Sequence, residues 1–177
     1  MTSIYDPVEC DLEAFRNTYT MAPELWGKFN LDGLDKIDFT KWNSVKLMND
    51  TSNIFSEQID KIPTESGGIY IYTINPGIIP SCGSYIMYIG MASKSAHENL
   101  RKRVKSYQKE VGVNYTRERL HRLFAKWGPY VHVHYLPIDE DKETIQELET
   151  RLIATMIPPC NADIQAKSVK RAVRAFS

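Results

Sequence analysis

Cutting a phosphodiester takes a group that draws a proton from water, positive charge for the phosphate oxygens, and help for the leaving oxygen. Side chains suited to each task recur at short spacing in this chain. Tyr70 closes Gly67-Gly68-Ile69-Tyr70, and Tyr88 opens Tyr88-Ile89-Gly90. Arg103 lies in the basic run Leu100-Arg101-Lys102-Arg103-Val104-Lys105-Ser106-Tyr107, and Glu149 in Leu148-Glu149-Thr150-Arg151. A phenol could act as the base if neighbouring cations bring its pKa down from about 10. The planar fork of Arg103 suits phosphate oxygens. One carboxylate such as Glu149 is enough for a divalent cation whose shell is otherwise water and phosphate. Plainer readings stand beside these. Strand tyrosines commonly cover a core edge, and Arg103 and Glu149 would also satisfy each other as a pair between two helices. His132 and His134 alternate as two metal ligands would, but lack an evident third, while His97 and His121 read as surface residues. No Walker-type or GxGxxG phosphate loop is present.

The elements that must carry these groups follow from periodicity. From Gly67 the chain alternates with period two, placing Ile69, Ile71 and Thr73 on one face and Tyr70, Tyr72 and Ile74 on the other. Asn75-Pro76-Gly77 and the stretch 80–84 are turn signals. A second strand follows over 85–91, with Ile86, Tyr88 and Gly90 on one face. Strands joined this closely form an antiparallel hairpin, so Tyr70 and Tyr88 share a face. Beyond Ala96 the period is helical, and Leu100, Arg103, Val104 and Tyr107 form one stripe. Another helix starts near Thr116 and stops at Gly128, and a third strand covers 130–137. The last helix runs from Lys142 to Met156, halted by Pro158-Pro159, with a buried stripe of Ile145, Leu148, Leu152, Ile153 and Met156. Glu149 lies within or beside that stripe, where an ionised carboxylate is costly unless paired or metal-bound. The expected class is α+β, a small three-stranded antiparallel sheet flanked by helices. Residues 1–65 form an N-terminal arm with short helices near Glu9–Tyr19 and Ser52–Lys61, the latter capped by Thr51 or Ser52. Trp26, Phe29, Phe39 and Trp42 imply that the arm packs on the domain or on a second subunit.

The chain has 177 residues, 42% apolar and 25% charged, as expected for one globular domain with an arm. No apolar run approaches the roughly 18 residues of a membrane helix, and no signal-peptide start is present, so the reading is a cytoplasmic protein with no membrane partner. Cys10, Cys82 and Cys160 are odd in number and lack metal-type spacing, which argues for reduced thiols. Net charge is zero, but its distribution is uneven. Residues 1–66 hold 12 acids and 6 bases, whereas 67–137 hold 3 acids and 10 bases, so a local positive field is available despite neutrality. Arg101, Lys102 and Lys105 on the first helix, Arg119 and Arg122 on the second, and Lys170 and Arg171 in the tail are the candidate DNA contacts.

Gly68-Ile69-Tyr70 and Tyr88-Ile89-Gly90 match the naming tripeptides of the GIY-YIG nuclease family, which this chain resembles. Leu100 to Tyr107 is similar to the helix bearing that family's catalytic arginine. Leu148-Glu149-Thr150-Arg151-Leu152-Ile153 with Pro158-Pro159-Cys160-Asn161 resembles the closing motif of its excision-repair branch. The resemblance covers about residues 66–165 and leaves 166–177 as a basic tail. It implies hydrolysis of DNA with one Mg²⁺ or Mn²⁺. Tyr70 would activate or orient water, Tyr88 would assist or bond the phosphate, and Arg103 would stabilise developing charge. Tyr107 takes a position that is histidine in some members. Glu149 would hold the metal and Asn161 would brace the site. The stretch between the tripeptides is longer than in compact members. Met91 stands where many members carry lysine, and Lys94 is the nearby substitute. Standalone size looks more like restriction- or phage-type members, and a double-strand cut implies a homodimer. The other reading, suggested by Met91, is a nucleic-acid-binding module that keeps the fold without turnover.

Overall fold

The computed structural model describes residues 17–50, 54–79 and 83–161. Within them lie four strands, β1 (Asn43–Lys46), β2 (Gly67–Ile74), β3 (Tyr85–Ala92) and β4 (Val131–Ile138). They form one antiparallel sheet in the order β1-β4-β2-β3. The helices are α1 (Pro23–Trp26), α2 (Leu100–Lys105), α3 (Glu118–Trp127) and α4 (Lys142–Met156). The class is therefore α+β, with four strands where the sequence predicts three. The added strand is Asn43-Ser44-Val45-Lys46, paired to β4 with Val45 opposite Val133. Four residues with one apolar side chain show no period, so no pattern announced it.

Period two in β2 sends its side chains into two separate apolar clusters. Tyr70, Tyr72 and Ile74 join Val133, Tyr135, Leu100, Val104 and Phe124 on one face. Ile69 joins Ile89, Leu136, Ile145 and Leu148 on the other, where Leu34 and Ile37 of the arm also pack. Burial on both faces makes β2 and β4 the centre of the sheet, and it leaves β3 an edge. The register shifts between Tyr72 and Thr73: Tyr72 faces Tyr88, whereas Thr73 faces Ile86. Met87 is the extra residue of this bulge. The bulge turns Met87 and Tyr88 to the same cluster and sends Ile86 to the opposite one, contrary to the simple alternation expected over 85–91.

Caps set the helix bounds. The Asp141 carboxylate accepts Thr144 N–H at 2.7 Å and starts α4 where the sequence predicts it. At its end Ile157 is left-handed, with φ of 46°. A β-branched residue pays a steric penalty there, and the sharp stop turns Pro158 to Asn161 back onto the sheet. Met156 in the last turn is exposed rather than part of the buried stripe. Asn99 caps α2 through Lys102 N–H at 2.8 Å. This helix is shorter than its stripe suggests and tightens into a 3-10 turn, Ser106–Glu110, which carries Tyr107. The predicted helix at Ser52–Lys61 is a single 3-10 turn, Glu57–Lys61, capped by Ser56. Thr51 and Ser52, and most of the predicted helix at Glu9–Tyr19, lie outside the described residues, and 17–20 are not helical. No described helix is long and apolar enough to cross a membrane.

Candidate active site

Four phenols meet on the α2–α3 side of the sheet. Tyr70 and Tyr72 come from β2, Tyr88 from β3 and Tyr107 from the turn after α2. Their rings lie 5.6 to 6.2 Å apart. Tyr107 is the hub: its hydroxyl lies 2.7 Å from that of Tyr70 and 3.2 Å from that of Tyr88. Tyr70 is fully buried and Tyr107 nearly so, while Tyr88 is half-buried and lines the open cleft.

Gly90 makes this packing feasible. It pairs directly with Tyr70, and an added Cβ would lie 2.4 Å from the Tyr70 hydroxyl and 2.5 Å from its Cζ. Gly90→Ala is therefore expected to cost about 1–3 kcal/mol by overpacking, read as a lowered urea midpoint. An unchanged midpoint would mean that the Tyr70 ring is not seated there.

The phenols are not the ionised bases that the sequence reading allows for. Burial pushes Tyr70 well above the ordinary phenol value, and the neighbouring phenols Tyr107, Tyr88 and Tyr72 push it further. Arg103 opposes this without reversing it. Burial and Tyr107 likewise raise Tyr88, against the influence of Arg117. Both hydroxyls hold their protons at neutral pH.

Arg103 stands beside this cluster, its Cζ 5.8 Å from the Tyr107 ring centre. Its one ion-pair contact among the described residues is Glu98 at 3.8 Å, so the pairing with Glu149 that the sequence also allows is not formed. Its Nε is buried with no hydrogen-bond partner. The same nitrogen faces Glu98, and the Tyr70 hydroxyl is a further hydrogen-bond partner of the guanidinium.

Glu149 and Asn161 reach the site around the free edge of β3. Cys160 N–H donates to Met87 C=O at 2.9 Å. Two residues on, Asn161 accepts Ile89 N–H at 2.9 Å and donates to Ile89 C=O at 2.8 Å. Two further on, the Met91 backbone bonds Glu149. The outward-facing groups of residues 87, 89 and 91 are thus closed in turn, and the exposed strand edge is blunted. Burial raises Glu149 above the ordinary carboxylate range, with the Met91 bond and Arg103 pulling it back in part.

Tyr88, Arg117, Arg119, Glu149 and Asn161 line a cleft of about 520 Å³. The group required by the expected chemistry is Mg²⁺ or Mn²⁺. No cluster of three or more His, Cys, Asp or Glu occurs among the described residues. A single carboxylate facing an open cleft fits Mg²⁺, which keeps most of its waters; it would not fit a zinc site, which needs several protein ligands.

Other predicted positions are less central. Lys94 bonds Asp139 at 3.0 Å on the surface rather than entering the cleft. Arg101 donates to Ile62 C=O at 2.6 Å, and Lys105 reaches Asp60 at 2.5 Å, so both turn toward the 57–61 turn. Arg122 pairs with Glu118 at 2.7 Å, and Lys102 is exposed. Arg119 clamps the carbonyls of Pro159 and Asn161 at 3.1 and 3.2 Å. Lys170 and Arg171 lie outside the described residues. His134 bonds Thr73 at 3.1 Å and His132 the Tyr130 carbonyl at 3.3 Å.

Sequence reasoning missed Arg117. Its Nη1 donates to Tyr107 at 2.7 Å and to Tyr88 at 3.2 Å. The only signal was one more cation at the start of α3, indistinguishable from a solvated helix end. No protein-family model, no curated protein and no solved structure matches this chain.

Proposed function

We propose that this chain is a metal-dependent DNA endonuclease of GIY-YIG type, of the restriction or phage kind. The observation that carries the reading is the hydroxyl chain from Tyr70 through Tyr107 to Tyr88, with Arg103 beside the Tyr107 ring, packed behind a cleft that Tyr88 and the carboxylate Glu149 both line, while Tyr70, Tyr107 and Arg103 stay out of its lining. Phosphoryl chemistry asks the protein mainly for positioning and positive charge, and this arrangement offers both.

Tyr88 is the phenol at the cleft wall, so it orients the incoming water as a neutral hydroxyl. Tyr107 and Tyr70 stand behind it and fix its direction through the hydroxyl chain. Arg103, beside the Tyr107 ring and bonded to Tyr70, supplies positive charge behind the phenols for the developing charge on phosphate. Glu149 would hold Mg²⁺ with the carboxylate oxygen not engaged by Met91, and Asn161 keeps the β3 edge in register beside it. When bound, the ion supplies Lewis acidity and an activated water. A double-strand cut would require two copies, since one site breaks one strand.

The test is nicking of supercoiled plasmid in Mg²⁺. Cutting is expected with Mg²⁺ or Mn²⁺ and is expected to stop on adding EDTA. Cutting that persists in EDTA would remove the metal from the mechanism.

A second reading is a DNA-binding module without turnover. It draws on Tyr70, which has no solvent exposure and stays protonated, and on Met91 in place of a lysine. Retarded plasmid with no nicking in either metal would favour it.

A further inference from the structure

Arg117 differs from Arg103 in its surroundings. Its side chain is largely exposed and forms part of the cleft wall, while its Nη1 rests on two neutral phenol oxygens. Neutral acceptors hold a guanidinium less firmly than an anion does. Arg117 makes no ion pair among the described residues: Glu118 takes Arg122, and Glu110 takes backbone. Among those residues neutral phenols alone hold this cation, through Nη1 and through the Tyr107 ring 5.0 Å from its Cζ, at the place where a strand would enter.

The backbone beneath it is fixed by an unusual device. Glu110 is fully buried. It accepts Thr116 N–H at 2.8 Å, Arg117 N–H at 2.9 Å and the Thr116 hydroxyl at 2.8 Å. Burial works against its ionisation, yet these three bonds together with the Lys109 ammonium 4.0 Å away hold its carboxyl below the ordinary range. The Glu110 carbonyl also bonds His121 Nδ1 at 2.9 Å, and Tyr115 stacks on that imidazole at 4.0 Å. The loop 111–117 is thereby tied to the same 3-10 turn that carries Tyr107. Burying a carboxylate is costly, and what it secures here is the direction in which Arg117 leaves the chain.

Resting on the phosphodiester reading of the cleft, we propose that Arg117 is a second phosphate-gripping residue, which exchanges its phenol contacts for a phosphate oxygen of bound DNA, and that Glu110 is the positioning residue that aims it. On that exchange the Tyr88 hydroxyl, the one phenol in the cleft lining, loses a donor and turns to the incoming water, with Tyr107 still behind it.

The test is fluorescence anisotropy of a labelled DNA duplex across a salt series in EDTA, where binding is read without metal-dependent turnover. Arg117→Ala is expected to weaken binding on the order of tenfold and to lower the salt slope by about 0.9, one phosphate contact. Arg117→Lys should regain the slope, since the charge returns. Glu110→Gln, checked as folded by its melting curve, should weaken binding severalfold, and the double variant Glu110→Gln with Arg117→Ala should bind like Arg117→Ala alone. If the unaltered chain binds DNA while Arg117→Ala keeps its full slope, Arg117 grips no phosphate. Additive losses in the double variant would overturn the positioning role of Glu110. Absence of nicking by the unaltered chain is a separate outcome, which counts against the nuclease and not against this contact.

Discussion

Arg103→Ala should slow DNA cleavage about a thousandfold, the scale seen when a preorganised charge donor is taken from a transition state. Folding stability should stay within about 1 kcal/mol, because the one ion pair that Arg103 makes among the described residues, to Glu98 at 3.8 Å, is half-exposed and weak. The two effects separate for a physical reason. In the folded state Arg103 contributes packing on Tyr107, a bond to Tyr70 and a weak contact from its Nε–H to Glu98, so its removal costs little. Its positive charge is worth most when negative charge builds on phosphate. Arg103→Lys should not restore the rate, since an ammonium cannot present two parallel donors. Single-turnover nicking with protein in excess, alongside urea midpoints, checks both halves. A cleavage rate near that of the unaltered chain would take Arg103 out of the transition state.

Much of this arrangement was legible because it rests on local period. Alternation over Gly67–Ile74 put Tyr70 on one face, and the hairpin turn brought β3 beside it. The helical period from Lys142 and the stop at Pro158-Pro159 bounded α4 correctly, which fixes where Glu149 leaves the helix. What stayed hidden depends on non-local geometry. The strand Asn43–Lys46 has no pattern of its own and is a strand only because β4 offers an open edge. The bulge at Met87 exists because the two faces of β3 must be filled by different clusters, and one extra residue has no signature in composition. The condition set for a phenol base, a pKa lowered by cations, is not met for a related reason. Counting nearby cations predicts a lowered phenol pKa, but burial is the larger influence, and burial is not visible in a sequence. Arg117 was missed because its importance comes from Glu110, seven residues away and fully buried, an acid that reads in the sequence as a surface charge.

Glu149→Gln should abolish metal-dependent cutting while making the metal-free chain more stable at neutral pH. The loss follows from removing the only carboxylate proposed to hold the ion; several kcal/mol of charge stabilisation correspond to about a thousandfold in rate. The gain follows from linkage. Burial, the largest influence, raises the Glu149 carboxyl above its ordinary value of 4.5, and the Met91 bond and Arg103 reverse only part of that. The folded chain therefore binds this proton more firmly than the unfolded chain does. Its contribution to stability is full below the ordinary value and is lost as pH rises through the higher folded value, so the ionised group is a burden at neutral pH. Glutamine keeps an oxygen for the Met91 backbone without carrying the charge. In EDTA the variant should melt above the unaltered chain at neutral pH, with the difference closing as pH falls below the ordinary carboxylate value. Added Mg²⁺ should raise the melting temperature of the unaltered chain and leave that of the variant in place, because only the former binds the ion when folded. Equal shifts for both proteins would locate the metal away from Glu149. A variant that melts lower at neutral pH would mean that this carboxylate serves the strand edge rather than a cation, since a residue kept for structure gives stability when intact and a residue kept for chemistry gives it when neutralised.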